Sequence, residues 1–149
     1  MHDYRELSRL MERTLHKYIQ LEKKPHTYDH GIVLTQAEIH TIAAVGDNPG
    51  INITELARQR GITKGAASQM IYKLVDKGYI DKRISPNSDT EVYIDLTDTG
   101  KIAYRSHMKY HDDNGVTFFR QLQDMPEEYQ DYTLELLKEF DRMLDDKLR

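Results

Sequence analysis

The 149-residue chain contains no cysteine. That absence excludes disulfides, thiolate zinc sites, thiol nucleophiles and thiol redox sensing. No apolar run approaches the ~18 residues a membrane-spanning helix needs. The opening "MHDYRELSRL" is too polar for a signal peptide, so a soluble, cytoplasmic protein is expected. Repeats and low-complexity segments are missing. So are HExxH, a phosphate-binding glycine loop and a nucleophile elbow, and an enzyme is not expected. The hydrophobic fraction is only 38%, against 31% charged residues. A core this lean is often completed by a partner subunit.

The net charge is −4, so the chain is not basic throughout. Its charge is uneven, however. Between Arg58 and Arg83 stand Arg58, Arg60, Lys64, Lys73, Lys77, Lys82 and Arg83, opposed only by Asp76 and Asp81. A basic island on an acidic body suits a polyanion.

Hydrophobic spacing predicts a helix over 3–24, where Leu7, Leu10, Met11, Leu15, Tyr18 and Ile19 recur at three and four, and Pro25 stops it. "PHTYDHGIV" (25–33) reads as a loop. Thr35 with Glu38 forms a capping box for a second helix reaching about Val45, followed by the turn cluster "GDNPG". A short helix begins at Thr54 and ends at Gly61. Another follows and ends at Lys77-Gly78, with Gly78 suited to a left-handed cap. Segments 79–84 and 91–97 read as two strands joined by "SPNSD". A helix or broken pair runs from Asp98 to about Leu122, bending at Gly115. The last helix starts at Pro126 and carries an apolar stripe from Tyr129 to Leu148.

The stretch "GITKGAASQMIYKLVDKGYI" (61–80) has small residues at its beginning and apolar ones later. Leu56, Ala57, Gly61 and Ile62, then Ala67, Met70, Ile71 and Leu74, give a helix-turn-helix pattern. With Ala67, Ile71 and Leu74 inward, Lys64, Gly65, Ser68, Gln69, Tyr72 and Lys73 face outward or sideways. A recognition helix enters the major groove by its N-terminal end, and small residues there allow close approach. Ser68 and Gln69 suit base edges. Thr63 and Ser68 suit phosphate oxygens, and Lys64 and Lys73 the backbone. Lys82 and Arg83 lie on the first strand of the following hairpin, which would form a wing.

These motifs resemble the MarR family of winged helix-turn-helix regulators. The carrying residues are "LTQAEIHTIAAVG" (34–46), "ITELARQRGITKGAASQMIYKLVDKGYI" (53–80) and "LTDTGKIAYRSH" (96–107). The resemblance implies a mainly α fold with a small β-hairpin wing. Residues 1–34 would be an N-terminal dimerisation helix and loop, 35–97 the DNA-binding domain, and 98–149 the C-terminal dimerisation helices. It implies a homodimer on double-stranded DNA at a pseudo-palindromic operator, acting as a ligand- or signal-responsive repressor. A winged helix that binds protein instead of DNA is the alternative. The family's wing usually carries an Arg near its tip, whereas "SPNSDTE" (85–91) has none and is acidic. Affinity for DNA would then rest more on the recognition helix, Lys82 and Arg83.

Seven histidines are many for this length. His107 and His111 share a helix face, Glu38 and His40 lie in the second helix, and His26 and His30 in the loop before it. A His pair at i, i+4 with a third His or a carboxylate suits Zn²⁺. His40, His107 and His111 also resemble the ligands of a zinc-responsive branch of the family. That branch uses a thiolate, for which Tyr28, Asp29 or His30 would substitute here. The same residues equally suit structural hydrogen bonding or a protonation switch. Tyr18, Tyr28, Tyr104 and Tyr110 are candidates to line a pocket for a small aromatic or lipid-like effector, and equally suit core and interface positions. No cofactor is required on this reading.

Overall fold

The computed structural model describes residues 3–84, 92–114 and 116–148, side chains 110–114 and 116–119 excepted. The expected wing tip, 85–91, and the expected bend at Gly115 lie outside these residues. Helix α1 spans Tyr4–Glu22, with the Asp3 carboxylate accepting from the Arg5 N–H. Strands β1 (Pro25–Thr27) and β2 (Val33–Thr35) pair antiparallel, with His26 opposite Leu34. The sequence reads as a loop here because three-residue strands are too short to show a period of two. His30 (φ 61°) and Gly31 (φ 72°) adopt left-handed conformations that reverse the chain between them.

Helix α2 (Gln36–Asp47) starts at Thr35 with the expected capping box. Strand β3 (Ile51–Asn52), two residues long and unannounced in the sequence, leads into α3 (Ile53–Arg60) and α4 (Lys64–Asp76). Strands β4 (Ile80–Ile84) and β5 (Val92–Leu96) form the wing, and the sheet order is β3-β5-β4. Helices α5 (Asp98–Asn114), α6 (Val116–Gln123) and α7 (Glu127–Leu148) complete the chain. The fold is mostly helical, with a small antiparallel sheet.

Two compact units divide the chain, Met1–Lys109 and Tyr110–Arg149. The core of the first gathers Ile39, Ile42 and Val45 of α2, Leu56 of α3, Ile71 and Leu74 of α4, Ile80 and Ile94 of the wing, and Ala103 of α5. Each apolar side chain fully buried in such a core contributes about 1.5–3 kcal/mol. The segment "LTDTG" locks the wing to α5. Thr97 Oγ1 donates to the Gly78 carbonyl (2.6 Å) and accepts from the Gly100 N–H (3.0 Å). Gly100 passes so close to the Tyr79 carbonyl that a Cβ would lie 2.0 Å from its oxygen. In the second unit, the Gln130 amide donates to the Met125 carbonyl (2.6 Å), closing the turn between α6 and α7.

Among the described residues, no helix is long and apolar enough to cross a membrane.

Candidate nucleic-acid interface

The turn between α3 and α4 is built by caps. Asn52 accepts from the Glu55 N–H at the start of α3. Gly61 ends that helix at φ 61°, in the left-handed region that spares glycine the Cβ penalty. Thr63 then accepts from the Ala66 N–H at 3.1 Å and starts α4. Leu56 and the small Ala57 are buried where the helices meet, and Ala67, Ile71 and Leu74 form the buried stripe of α4.

About half a turn from that stripe lie Gly65, Gln69, Tyr72 and Asp76, all exposed. Lys64 and the half-buried Ser68 border them on one side and Lys73 on the other. A Cβ at Gly65 would meet only Thr63 Oγ1, at 4.0 Å. The chain's own packing therefore does not require glycine there. Gly65 is the second residue of α4, where glycine still loses more backbone freedom than Ala on folding, so the chain's own packing gives no reason for it on this outward face.

Lys73 is not a free cation. Its Nζ lies 2.9 Å from Glu38 Oε1, and Lys77 Nζ 2.8 Å from the same atom. Glu38 is only 1% exposed. It belongs to the capping box, where Oε2 accepts from the Thr35 N–H at 2.9 Å. Burial alone would raise its pKa, but hydrogen bonds from Lys77, the Thr35 backbone and Lys73 hold it down to about 2. The carboxylate thus bolts the start of α2 to the far half of α4.

Strand geometry separates the two wing cations, because successive side chains point to opposite faces. Lys82 pairs with Ile94 on the core face, and its Nζ stands 3.3 Å from the centroid of the Tyr72 ring, tying the wing to α4. Arg83 pairs with Tyr93 on the other face, with Nε 3.9 Å from Asp95 Oδ2.

The second set of sequence candidates divides too. His40 and His107 approach edge to face at 5.3 Å between centroids, and Tyr28 meets His107 at 6.0 Å. His26 meets Tyr28 at 4.8 Å. Glu22, which sequence reasoning missed, brings Oε1 to 3.5 Å from His40 Nδ1, while the Arg60 guanidinium holds the same carboxylate at 3.3 Å. Glu22 ends α1 and Arg60 ends α3, and no local pattern links them. Tyr18 stands near this pair, and its pKa is raised by burial and then by the Glu22 charge. His30 lines a separate hollow with Asp29, Ser106 and Lys109. The His111 side chain lies outside the described residues. Among the described residues, no three His, Asp or Glu side chains are placed to hold a metal ion.

Residues 34–88 match the model of the MarR family. An uncharacterized HTH-type transcriptional regulator of Bacillus subtilis (strain 168), YhjH, is 37% identical over 78 residues, covering 52% of this chain and 45% of that protein. The chain thus spans under half of that curated relative's length. Among solved structures, a MarR/EmrR family regulator from Acinetobacter sp. ADP1 superposes with TM-score 0.72 at 19% identity, covering 98% of this chain and 99% of that one. FabT from Streptococcus pneumoniae, solved in complex with DNA, superposes with TM-score 0.67 at 20% identity, covering 97% and 99%. At such identities the structural likeness establishes the fold, while the sequence match establishes the kinship of the central segment. Residues 34–88 therefore resemble the MarR family, within a chain that has the winged helix-turn-helix fold of its solved members.

Proposed function

We propose that this chain is a transcriptional regulator that binds double-stranded DNA as a homodimer. It places α4 in the major groove of each half-site of a pseudo-palindromic operator and represses until a signal releases it. The observation that carries this reading is Gly65. A glycine that packing does not require stands on the outward face of α4, beside Gln69, where close approach to base edges needs it. Gln69 supplies a bidentate donor–acceptor pair for adenine. Lys64 and Lys82 supply sequence-independent attraction to phosphate. FabT, of the same fold, was solved bound to DNA. The half-sites would lie about one helical turn apart, as two-fold symmetry demands. Winged-helix regulators of this family are not enzymes, and no catalytic constellation is proposed.

The test is fluorescence anisotropy of the full chain on DNA from upstream of its own gene, over a salt series. Tight binding that falls steeply with salt is expected. Affinity no better than for random DNA, at every salt concentration, would remove the operator reading for that site.

One observation favours the alternative of a protein-binding module. Glu38 takes up Lys73 and Lys77, and Asp95 faces Arg83, which reduces the charge that the basic island presents. A flat salt dependence would select it.

Two effector classes fit the neighbourhood of Tyr28, His40 and His107. A dication is disfavoured there as the groups stand, since the Arg60 guanidinium already occupies Glu22. An aromatic or lipid-like molecule makes no demand on that carboxylate, and is the effector class favoured here. Zinc that shifts DNA affinity, and that chelator reverses, would overturn this preference.

A further inference from the structure

We infer that the outer face of the wing carries a second, separate ligand site, and that its ligand is a small organic phosphomonoester. A cleft of about 580 Å³ opens where β4 and β5 meet the first turns of α5 and the end of α2. Three cations converge on it: Arg83 from β4, and Lys101 and Arg105 from α5. One carboxylate, Asp95, lines it with them.

The partners of these cations hold them loosely. Asp95 spends Oδ1 on the Gly50 N–H at 3.0 Å, and its other oxygen stands 3.9 Å from Arg83. Lys101 reaches Asp98 at 3.4 Å, but Asp98 is fully exposed, and a pair in open water adds little. Within the lining three cations face one carboxylate, while Asp98 stands in open water beside Lys101 and Asp47 is taken by the Tyr104 hydroxyl. Two guanidiniums and an ammonium suit the tetrahedral dianion of a phosphate, which guanidinium forks bind bidentately.

The remaining wall is apolar. Val45, Pro49 and Leu96 line it, and the Tyr104 ring packs flush on Gly46, where a Cβ would come within 2.6 Å. The Tyr104 hydroxyl is fixed on Asp47 at 2.6 Å, so the ring is held as a wall. An organic group on the phosphate would lie there.

The cleft is not an extension of the DNA face. Arg83 points away from the side on which Lys82 meets Tyr72 of α4. A dianion bound behind the wing would lower the positive field that the domain offers to DNA, so occupancy weakens DNA binding. That regulatory half rests on the proposed DNA-binding function, whereas the binding half does not.

Isothermal titration of the full chain with phenyl phosphate, in the absence of DNA, tests the site first. One phenyl phosphate per chain should bind, more tightly than inorganic phosphate. The double variant Lys101→Ala/Arg105→Ala, both exposed residues, should weaken it about tenfold or more. Absent binding, equal binding by the variant, or equal affinity for inorganic phosphate would each overturn the site as described. Anisotropy on DNA is the second arm. The variant has lost as much positive charge as a bound dianion cancels, so without probe it should bind DNA about as weakly as phenyl phosphate-saturated wild type, and phenyl phosphate should weaken DNA binding by wild type alone. A variant that binds DNA as tightly as unliganded wild type would overturn the regulatory half, and one that binds far more weakly than phenyl phosphate-saturated wild type, with a salt slope flatter by about two, would overturn the inference by assigning these cations to the DNA backbone. A chain that binds phenyl phosphate but no DNA would fail the regulator reading and leave the site standing.

Discussion

Glu38 is nearly sealed from water, yet the hydrogen bonds it receives keep it ionised far below the usual carboxylate range. Its pKa falls from 4.5 to about 2, a depression in the folded state. The associated stability is therefore fully present above the unfolded value and is lost as pH falls from about 4.5 toward 2. At ~1.4 kcal/mol per unit, the contribution is about 3 kcal/mol. Glu38→Gln should destabilise the chain by about that amount at pH 7 and by little near pH 2, read from denaturant melts at both. An equal penalty at the two pH values would show that shape matters and charge does not. On the outward face of α4, Gln69→Ala should lower discrimination between operator and mismatched DNA by about 1–3 kcal/mol, with unchanged melting. Sequence selection with the variant checks it, and an identical preferred site would remove Gln69 from base reading.

Helix α4 and the wing are held by backbone contacts as much as by side chains, and the glycines show which contacts are structural. Gly100 is structural: a Cβ there would collide with the Tyr79 carbonyl, which cannot move without disturbing the junction of α4, β4 and α5. Gly100→Ala should cost about 3 kcal/mol or more, the upper range for overpacking, and a thermal melt within a degree of wild type would refute the close approach. Gly65 behaves oppositely. With nothing nearer than 4.0 Å to its absent side chain, Gly65→Leu should leave stability within about 0.5 kcal/mol or improve it. The same change should abolish operator binding by holding α4 away from the groove. Retained affinity in anisotropy would mean that α4 does not enter the groove at that point.

At the scale of the whole molecule, α1, like α7, is an element that a single chain does not explain. None of its residues is buried, and Leu7 and Met11 are 61% and 43% exposed. An apolar stripe of this length marks an interaction surface, and a second copy of the chain is the occupant that the proposed regulator requires. Replacing Leu7 and Met11 by Glu should convert dimer to monomer in sedimentation at micromolar concentration. DNA affinity should fall with it, because two half-sites would no longer be bound together. A variant that sediments as wild type would move the interface elsewhere.

Much of this was legible in the residues alone. The Thr35–Glu38 capping box, the glycine turn at Gly61 and the buried stripe Ala67, Ile71 and Leu74 are local patterns, set by spacing within one or two helical turns. So is the alternation of β5. They establish a winged helix-turn-helix before any coordinate is known. The β1–β2 hairpin and β3 escaped because strands of two or three residues have no measurable period. Only the tertiary structure decided where the charges go. It joined Glu22 to Arg60 and His40, committed Lys73 to Glu38, and turned Arg83 away from Lys82. Those pairings span different elements, and electrostatic partners depend on distance through space, which spacing along the chain does not carry.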